Sequence, residues 1–187
     1  MTERTVDGSP HVVVRLAAVA YVLTFLAGGA ALFVRGRTGM AAGLLAGACY
    51  VAVTLLFYFI FKPVSRGLSA LAALVSLAGC AIGPLGLLHL VPATVSPLVF
   101  FGVYCLLIGY LVFTSTFLPR VLGLLMAAGG LGWLTFVSAP LAASLSPFNF
   151  FPGILGEGAL TLWLLVKGVD VERWKARAAE ASSKMRG

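Results

Sequence analysis

The sequence predicts an all-α integral membrane protein. A bundle of about six transmembrane helices over residues 1–169 is followed by a basic amphipathic tail over 170–187. Three observations carry this. Charge is scarce: Lys, Arg, Asp and Glu make 10% of 187 residues and 60% are hydrophobic, whereas an ordinary soluble domain is about 25% charged. The apolar residues fall into runs near the roughly 20 residues that cross a bilayer. Each run ends at proline, at basic residues or at both.

The elements follow in order. Met1 to Pro10 is polar, and Ser9-Pro10 reads as an N-cap followed by proline at the first helical position. The first span is 12–34, with Arg15 near its start. A cleavable signal has a shorter apolar region, roughly 7–15 residues, so this span reads as a retained helix. Ala27-Gly28-Gly29-Ala30 leaves the cleaved reading open. Arg35-Gly36-Arg37-Thr38 is a tight basic turn, and the second span, 39–61, stops at Lys62-Pro63. The third span is 68–90, with a kink predicted at Gly83-Pro84. Pro92 and Pro97 bracket an uncharged turn before the fourth span, 98–118. Pro119-Arg120 precedes the fifth, 121–141, and a loop rich in Ser, Pro and Phe, 142–152, precedes the sixth, 153–169.

Net charge is +7, and its position says more than its sum. With six spans, one side holds eleven Lys and Arg: Arg4, Arg15, Lys62, Arg66, Arg120, Lys167, Arg173, Lys175, Arg177, Lys184 and Arg186. The other holds two, Arg35 and Arg37. The bias predicts cytoplasmic termini. Phe148, Phe150 and Phe151 suit an aromatic belt on the opposite side. No basic stripe interleaved with aromatics is present, so nucleic acid is not an expected partner. Cys49, Cys80 and Cys105 lie inside apolar runs and read as packing residues.

In the tail, Val171, Trp174, Ala178, Ala181 and Met185 recur at helical spacing, and Glu180 stands four residues before Lys184. Three readings stay open: a frayed continuation of the sixth helix, a segment lying on the anionic inner leaflet, or a partner-binding tail. Under the second, Trp174, Lys175 and Arg177 are the membrane-surface candidates. Gly39, Gly43 and Gly47 share one face of the second helix, and Ser76, Gly79, Cys80 and Gly83 make a small face on the third. Such faces let helices approach closely in lipid, within one chain or across a homo-oligomer seam.

One acidic residue, Glu157, lies within an apolar span. A carboxyl group at membrane depth is expensive and is usually paired, neutralised or functional. If the sixth helix enters near Gly153, Glu157 is about one turn in, near the outer interface. Thr161 follows on the same helical face and His89 closes the third helix on the same side. These three are the ligand- or proton-binding candidates, against a structural role for Glu157 near a helix N-terminus. Catalysis has little support. Two histidines, His11 and His89, fall short of a zinc site and lie on opposite sides. A triad would need Ser96 or Ser144 brought in by loop folding. No cofactor or metal is expected.

The stretch from Leu106 to Gly123, LLIGYLVFTSTFLPRVLG, resembles the hallmark of a bacterial multi-pass membrane family catalogued as domain of unknown function 4386. Gly129-Gly130-Leu131-Gly132-Trp133 resembles its next helix. Gly156-Glu157 with Leu162-Trp163-Leu164-Leu165-Val166-Lys167-Gly168-Val169 resembles its closing helix. Arg15-Leu16-Ala17 and Lys62-Pro63-Val64 fit more loosely. The segment between the first two helices is short for the family, and the basic residue expected in the third helix is replaced near Val75-Ser76. If that residue pairs with the glutamate in relatives, the pairing is absent here. The resemblance implies a bacterial inner membrane and about six helices, puts Glu157 at a motif position, and brings no activity. Three functions follow: a non-enzymatic protein that binds, senses or scaffolds; a small transporter of a neutral or apolar solute; and a lipid-acting enzyme centred on Glu157 and His89.

Overall fold

The computed structural model describes residues 10–92 and 94–183. The helices are α1 (Pro10–Phe33), α2 (Gly36–Phe61), α3 (Arg66–Leu87), α4 (Pro97–Thr114), α5 (Arg120–Leu134), α6 (Ala139–Leu145), α7 (Phe150–Val166) and α8 (Val171–Ser183). No strand occurs among the described residues. Among the described residues five helices are long and apolar enough to cross a membrane, or six if α6 and α7, bent by 80° where they meet, count as one span. The protein is an all-α membrane bundle.

Local chemistry sets the helix ends. Pro10 opens α1, while the expected Ser9 cap lies outside the described residues. Ser65 Oγ accepts the Leu68 amide at 3.4 Å, and Ser96 Oγ accepts the Leu98 amide at 3.3 Å beside Pro97. The third span ends at Leu87 and not at residue 90. His89 there takes a left-handed backbone, φ 57°, with the Leu90 amide bonded to the Leu85 carbonyl at 2.9 Å; this is the closing turn usually given to glycine. The fourth span ends at Thr114, where Ser115 turns extended and its hydroxyl donates back to the Val112 carbonyl at 2.8 Å. The fifth stops at Val137, where extended Ser138 lets Pro140 enter the first turn of α6. The expected loop 142–152 is therefore largely helical, and α7 begins three residues early.

Helices α1, α2, α3, α4, α5 and α7 form a ring in chain order. Each packs on the next, α5 packs on α7, and α7 closes the ring against α1. Tyr21, Phe57, Tyr104, Leu111, Met126 and Leu160 fill the interior. Leucines cover the outside, with Leu74 66% and Leu162 61% exposed, a surface suited to lipid.

Glycine divides the ring into a tight part and a loose part. A Cβ on Gly123 would lie 2.6 Å from the Gly109 carbonyl oxygen, and one on Gly130 would lie 2.7 Å from that of Gly102. Backbones of α4 and α5 thus touch directly. Gly156 meets the Leu125 carbonyl in the same way, seating α7 on α5. By contrast, a Cβ on Gly47 or Gly83 would meet nothing within 4 Å.

The tail is not a continuation of the last span. Gly168 turns the chain with φ 75°, its amide bonded to the Trp163 carbonyl at 3.0 Å. From there α8 folds back over the basic end. Trp174 Nε1 donates to the Ile60 carbonyl at 2.9 Å, and Arg173 donates to the Thr116 carbonyl at 3.3 Å. Arg15 donates to the Val166 carbonyl at 3.4 Å. These donors satisfy carbonyls left open at helix ends. Glu180 pairs with Arg177 at 3.2 Å; Lys184 and Met185 lie outside the described residues. At the other end, Phe148 and Phe151 are exposed, but Phe150 turns inward onto Trp133 and Phe136.

Candidate functional site

Glu157 is the eighth residue of the 17-residue α7. It is buried, facing the ring interior. Tyr21 Oη donates to Oε2 at 2.6 Å, and Trp133 Nε1 donates to Oε1 at 2.6 Å. Cys105 Sγ, a weak donor, lies 3.6 Å from Oε1. Tyr50 Oη is 3.4 Å from both Oε2 and Tyr21 Oη. Two short hydrogen bonds from neutral donors hold the carboxyl group, and among the described residues none of its hydrogen-bond partners is cationic. Tyr21 stands midway along the 24-residue α1 and Cys105 midway along the 18-residue α4. Glu157 therefore sits near the middle of the bundle, not near the outer interface. The early start of α7, after the bent α6, accounts for the added depth.

The surroundings explain how the indole reaches in. A Cβ on Gly153 would collide with the Trp133 ring, so the bare backbone of α7 makes room for it. Phe150 packs edge-on against the same indole at 5.7 Å. One turn along α2 from Tyr50, the buried Thr54 and Ser76 hydroxyls share a 2.6 Å hydrogen bond between α2 and α3. Tyr104, packed edge-on at 5.9 Å from Tyr50, has a buried hydroxyl with no hydrogen bond.

Beyond Tyr50, toward the end away from the basic residues, lies a partly open cleft of about 430 Å³ between α1, α2, α3 and α4. Gly28, Gly43, Gly47, Gly79 and Gly83 line it, with Tyr50 among its walls. Cys80 and Phe101 also face it. Its surface is almost wholly apolar, and its volume falls in the range of small-molecule pockets.

The expected cluster of Glu157, His89 and Thr161 is not brought together. His89 is exposed at the end of α3, and its imidazole is not among the groups bonded to Glu157. Thr161 is buried on the same face, but its hydroxyl donates to the Glu157 main-chain carbonyl at 2.7 Å. Trp174 is half-buried against the bundle, while Lys175 is exposed and Arg177 half-buried with an ion-pair partner. Sequence reasoning missed Tyr21, Tyr50 and Trp133 and read Cys105 as packing alone. A signal existed: Tyr21, Tyr50 and Tyr104 stand mid-run, where belt tyrosines do not belong and a buried hydroxyl needs a partner. Among the described residues, no group of His, Cys, Asp and Glu is arranged to hold a metal ion.

Fold and site define a multi-span helical membrane protein with a buried carboxyl group held by aromatic donors. The chain belongs to the family described as "Domain of unknown function (DUF4386)", whose match covers residues 93–168. An uncharacterized protein of Archaeoglobus fulgidus is 32% identical over 130 residues, 63% of this chain and 76% of that relative. No solved structure matches. The family match spans α4 to α7 and includes Cys105, Trp133 and Glu157; Tyr21 and Tyr50 lie before it.

Proposed function

We propose that this is a non-enzymatic membrane protein that binds a small, mostly apolar molecule carrying one neutral polar group. One observation carries the reading: the glycine-lined cleft of about 430 Å³ reaches Tyr50, whose hydroxyl has only long, 3.4 Å contacts inside the protein. A contact that long is at the weak limit of hydrogen bonding. The Tyr50 hydroxyl is therefore available to a ligand's hydroxyl or carbonyl, while the glycines accept its apolar body. Glu157 acts as the structural anchor behind Tyr50.

A small transporter of a neutral solute is the second reading. Its support is Pro84, which lines the cleft inside α3 and leaves that helix without one backbone hydrogen bond. The enzyme reading has less support, since His89 stands apart from Glu157. The setting we propose is a bacterial inner membrane, with the basic end and both termini in the cytoplasm, supported by the lysine and arginine bias. A homo-oligomer seam through Gly39, Gly43 and Gly47 has a competing use, because Gly39 packs on the Val34 carbonyl and the other two line the cleft.

Cys80 supplies the test. In a Cys49→Ala background in nanodiscs, dodecanol is expected to slow alkylation of Cys80 by N-ethylmaleimide more than dodecane does. Tyr50→Phe is expected to abolish that difference and leave the fold intact. Equal alkylation with and without either compound would sink the proposal.

A further inference from the structure

The bonds around Glu157 set which way the Tyr50 hydroxyl turns its proton. An indole N–H donates and cannot accept. The 2.6 Å bond from Trp133 Nε1 therefore makes Oε1 an acceptor, and Cys105 Sγ adds a weak donor to the same oxygen at 3.6 Å. Oε2 receives the Tyr21 hydroxyl at 2.6 Å, the length of an O–H bond to a carboxylate oxygen. A phenol has one proton, and Tyr21 spends it there. Toward Tyr50, Tyr21 Oη is left with lone pairs. Both groups 3.4 Å from Tyr50 Oη, Oε2 and Tyr21 Oη, are thus acceptors. They draw the Tyr50 proton to the inner side and leave its lone pairs to the cleft. Thr24, the other hydroxyl in the cleft wall among the described residues, spends its own proton on the Ala20 carbonyl at 3.0 Å. Both wall hydroxyls therefore present acceptors.

We infer that the cleft selects an apolar molecule that donates a hydrogen bond, such as a long-chain alcohol, over one that only accepts, such as a ketone or an ether. The inference rests on the binding role proposed for the cleft and narrows its ligand class. Tyr50 makes the contact. Glu157 and Tyr21 are positioning residues, which act by fixing the direction of the Tyr50 proton. Glu157→Gln should reverse that direction. The Trp133 N–H keeps the amide oxygen on its own side, which brings the amide nitrogen into the place of Oε2. That nitrogen only donates. Tyr50 then accepts on its inner side, and its proton is freed toward the cleft.

Alkylation of Cys80 by N-ethylmaleimide, in the Cys49→Ala protein in nanodiscs, provides the test. Dodecanol, methyl decyl ketone and dodecane are compared at equal concentration in the bilayer. With Glu157 in place, dodecanol is expected to half-protect Cys80 at a concentration about fivefold below that of the ketone. The ketone is expected to protect no better than dodecane. Glu157→Gln is expected to raise the ketone to the level of dodecanol, a switch that lost packing or stability does not produce. If the ketone already matches dodecanol with Glu157 in place, the hydroxyls are ordered in the reverse sense, and the inference is overturned while the binding reading stands. Dodecanol that protects no better than dodecane overturns both. A folded Glu157→Gln protein that keeps the original preference also overturns the inference. Should that variant not fold, the comparison of the three compounds on the Glu157 protein decides it alone.

Discussion

The α4–α5–α7 side of the ring and the α1–α4 side use the same residue for opposite ends. On the first, glycines bring backbones into direct contact, Gly109 against Gly123 and Gly102 against Gly130. On the second, Gly47 and Gly83 face open space. Small residues in lipid allow close approach but do not compel it. What separates the sides is what faces each glycine. Across the tight seam, a glycine on one helix meets backbone of another. Across the cleft, the large ring of Phe101 and the bend-prone Gly83-Pro84 segment stand opposite the glycines of α2. The family match, residues 93–168, falls on the tight side and includes the glutamate with its tryptophan. The tight side supplies the glutamate and the Trp133 donor, while the loose side supplies Tyr21 and Tyr50 and carries the cleft that Tyr50 lines.

Three substitutions break or sharpen this contrast. Gly123→Ala has the largest expected effect, because its Cβ meets the Gly109 carbonyl at 2.6 Å and the Phe113 amide at 2.7 Å. Overpacking against backbone should lower stability by about 3 kcal/mol, read as lost monodisperse yield and melting temperature in detergent. Tyr21→Phe comes next. It removes the 2.6 Å bond to Oε2 and leaves that oxygen only the 3.4 Å contact to Tyr50. A loss of about 2 kcal/mol is expected, shrinking clearly when Glu157→Gln is already present. An unchanged penalty in the double variant would mean that the tyrosine acts by packing alone. Gly47→Ala has the smallest effect and the opposite sign. With nothing within 4 Å of its Cβ, better helix propensity should raise stability by about 0.5 kcal/mol. A Gly47→Ala variant as damaged as Gly123→Ala would refute the division of the ring.

Much of the fold was legible in the sequence, because apolar runs and proline breaks report directly on spans. Glu157 was legible for a similar reason, being the lone acid in an apolar stretch. Its depth was not. That depends on where α7 begins, and the short helix α6, set at 80° to α7, takes up residues 142–145 of the stretch that read as loop. Tyr21 and Trp133 were also hidden, because an aromatic in an apolar run looks like core until its polar tip is placed. His89 drew attention as the titratable residue nearest the expected site, yet its place is set by the turn that closes α3. The docking of α8 rests on a bond between Trp174 and Ile60, a long-range contact that helical periodicity within the tail does not encode.

The closure of the ring by α7 has a consequence for biogenesis. Tyr21 is inserted with the first span, and its partner Glu157 follows 136 residues later. Until then the growing chain is an open horseshoe whose first tyrosine hydroxyl waits for a partner not yet synthesised. Ribosome-bound chains arrested before Gly153 should therefore remain exposed to membrane proteases and insertion chaperones, and release of the last span should latch the whole molecule in one step.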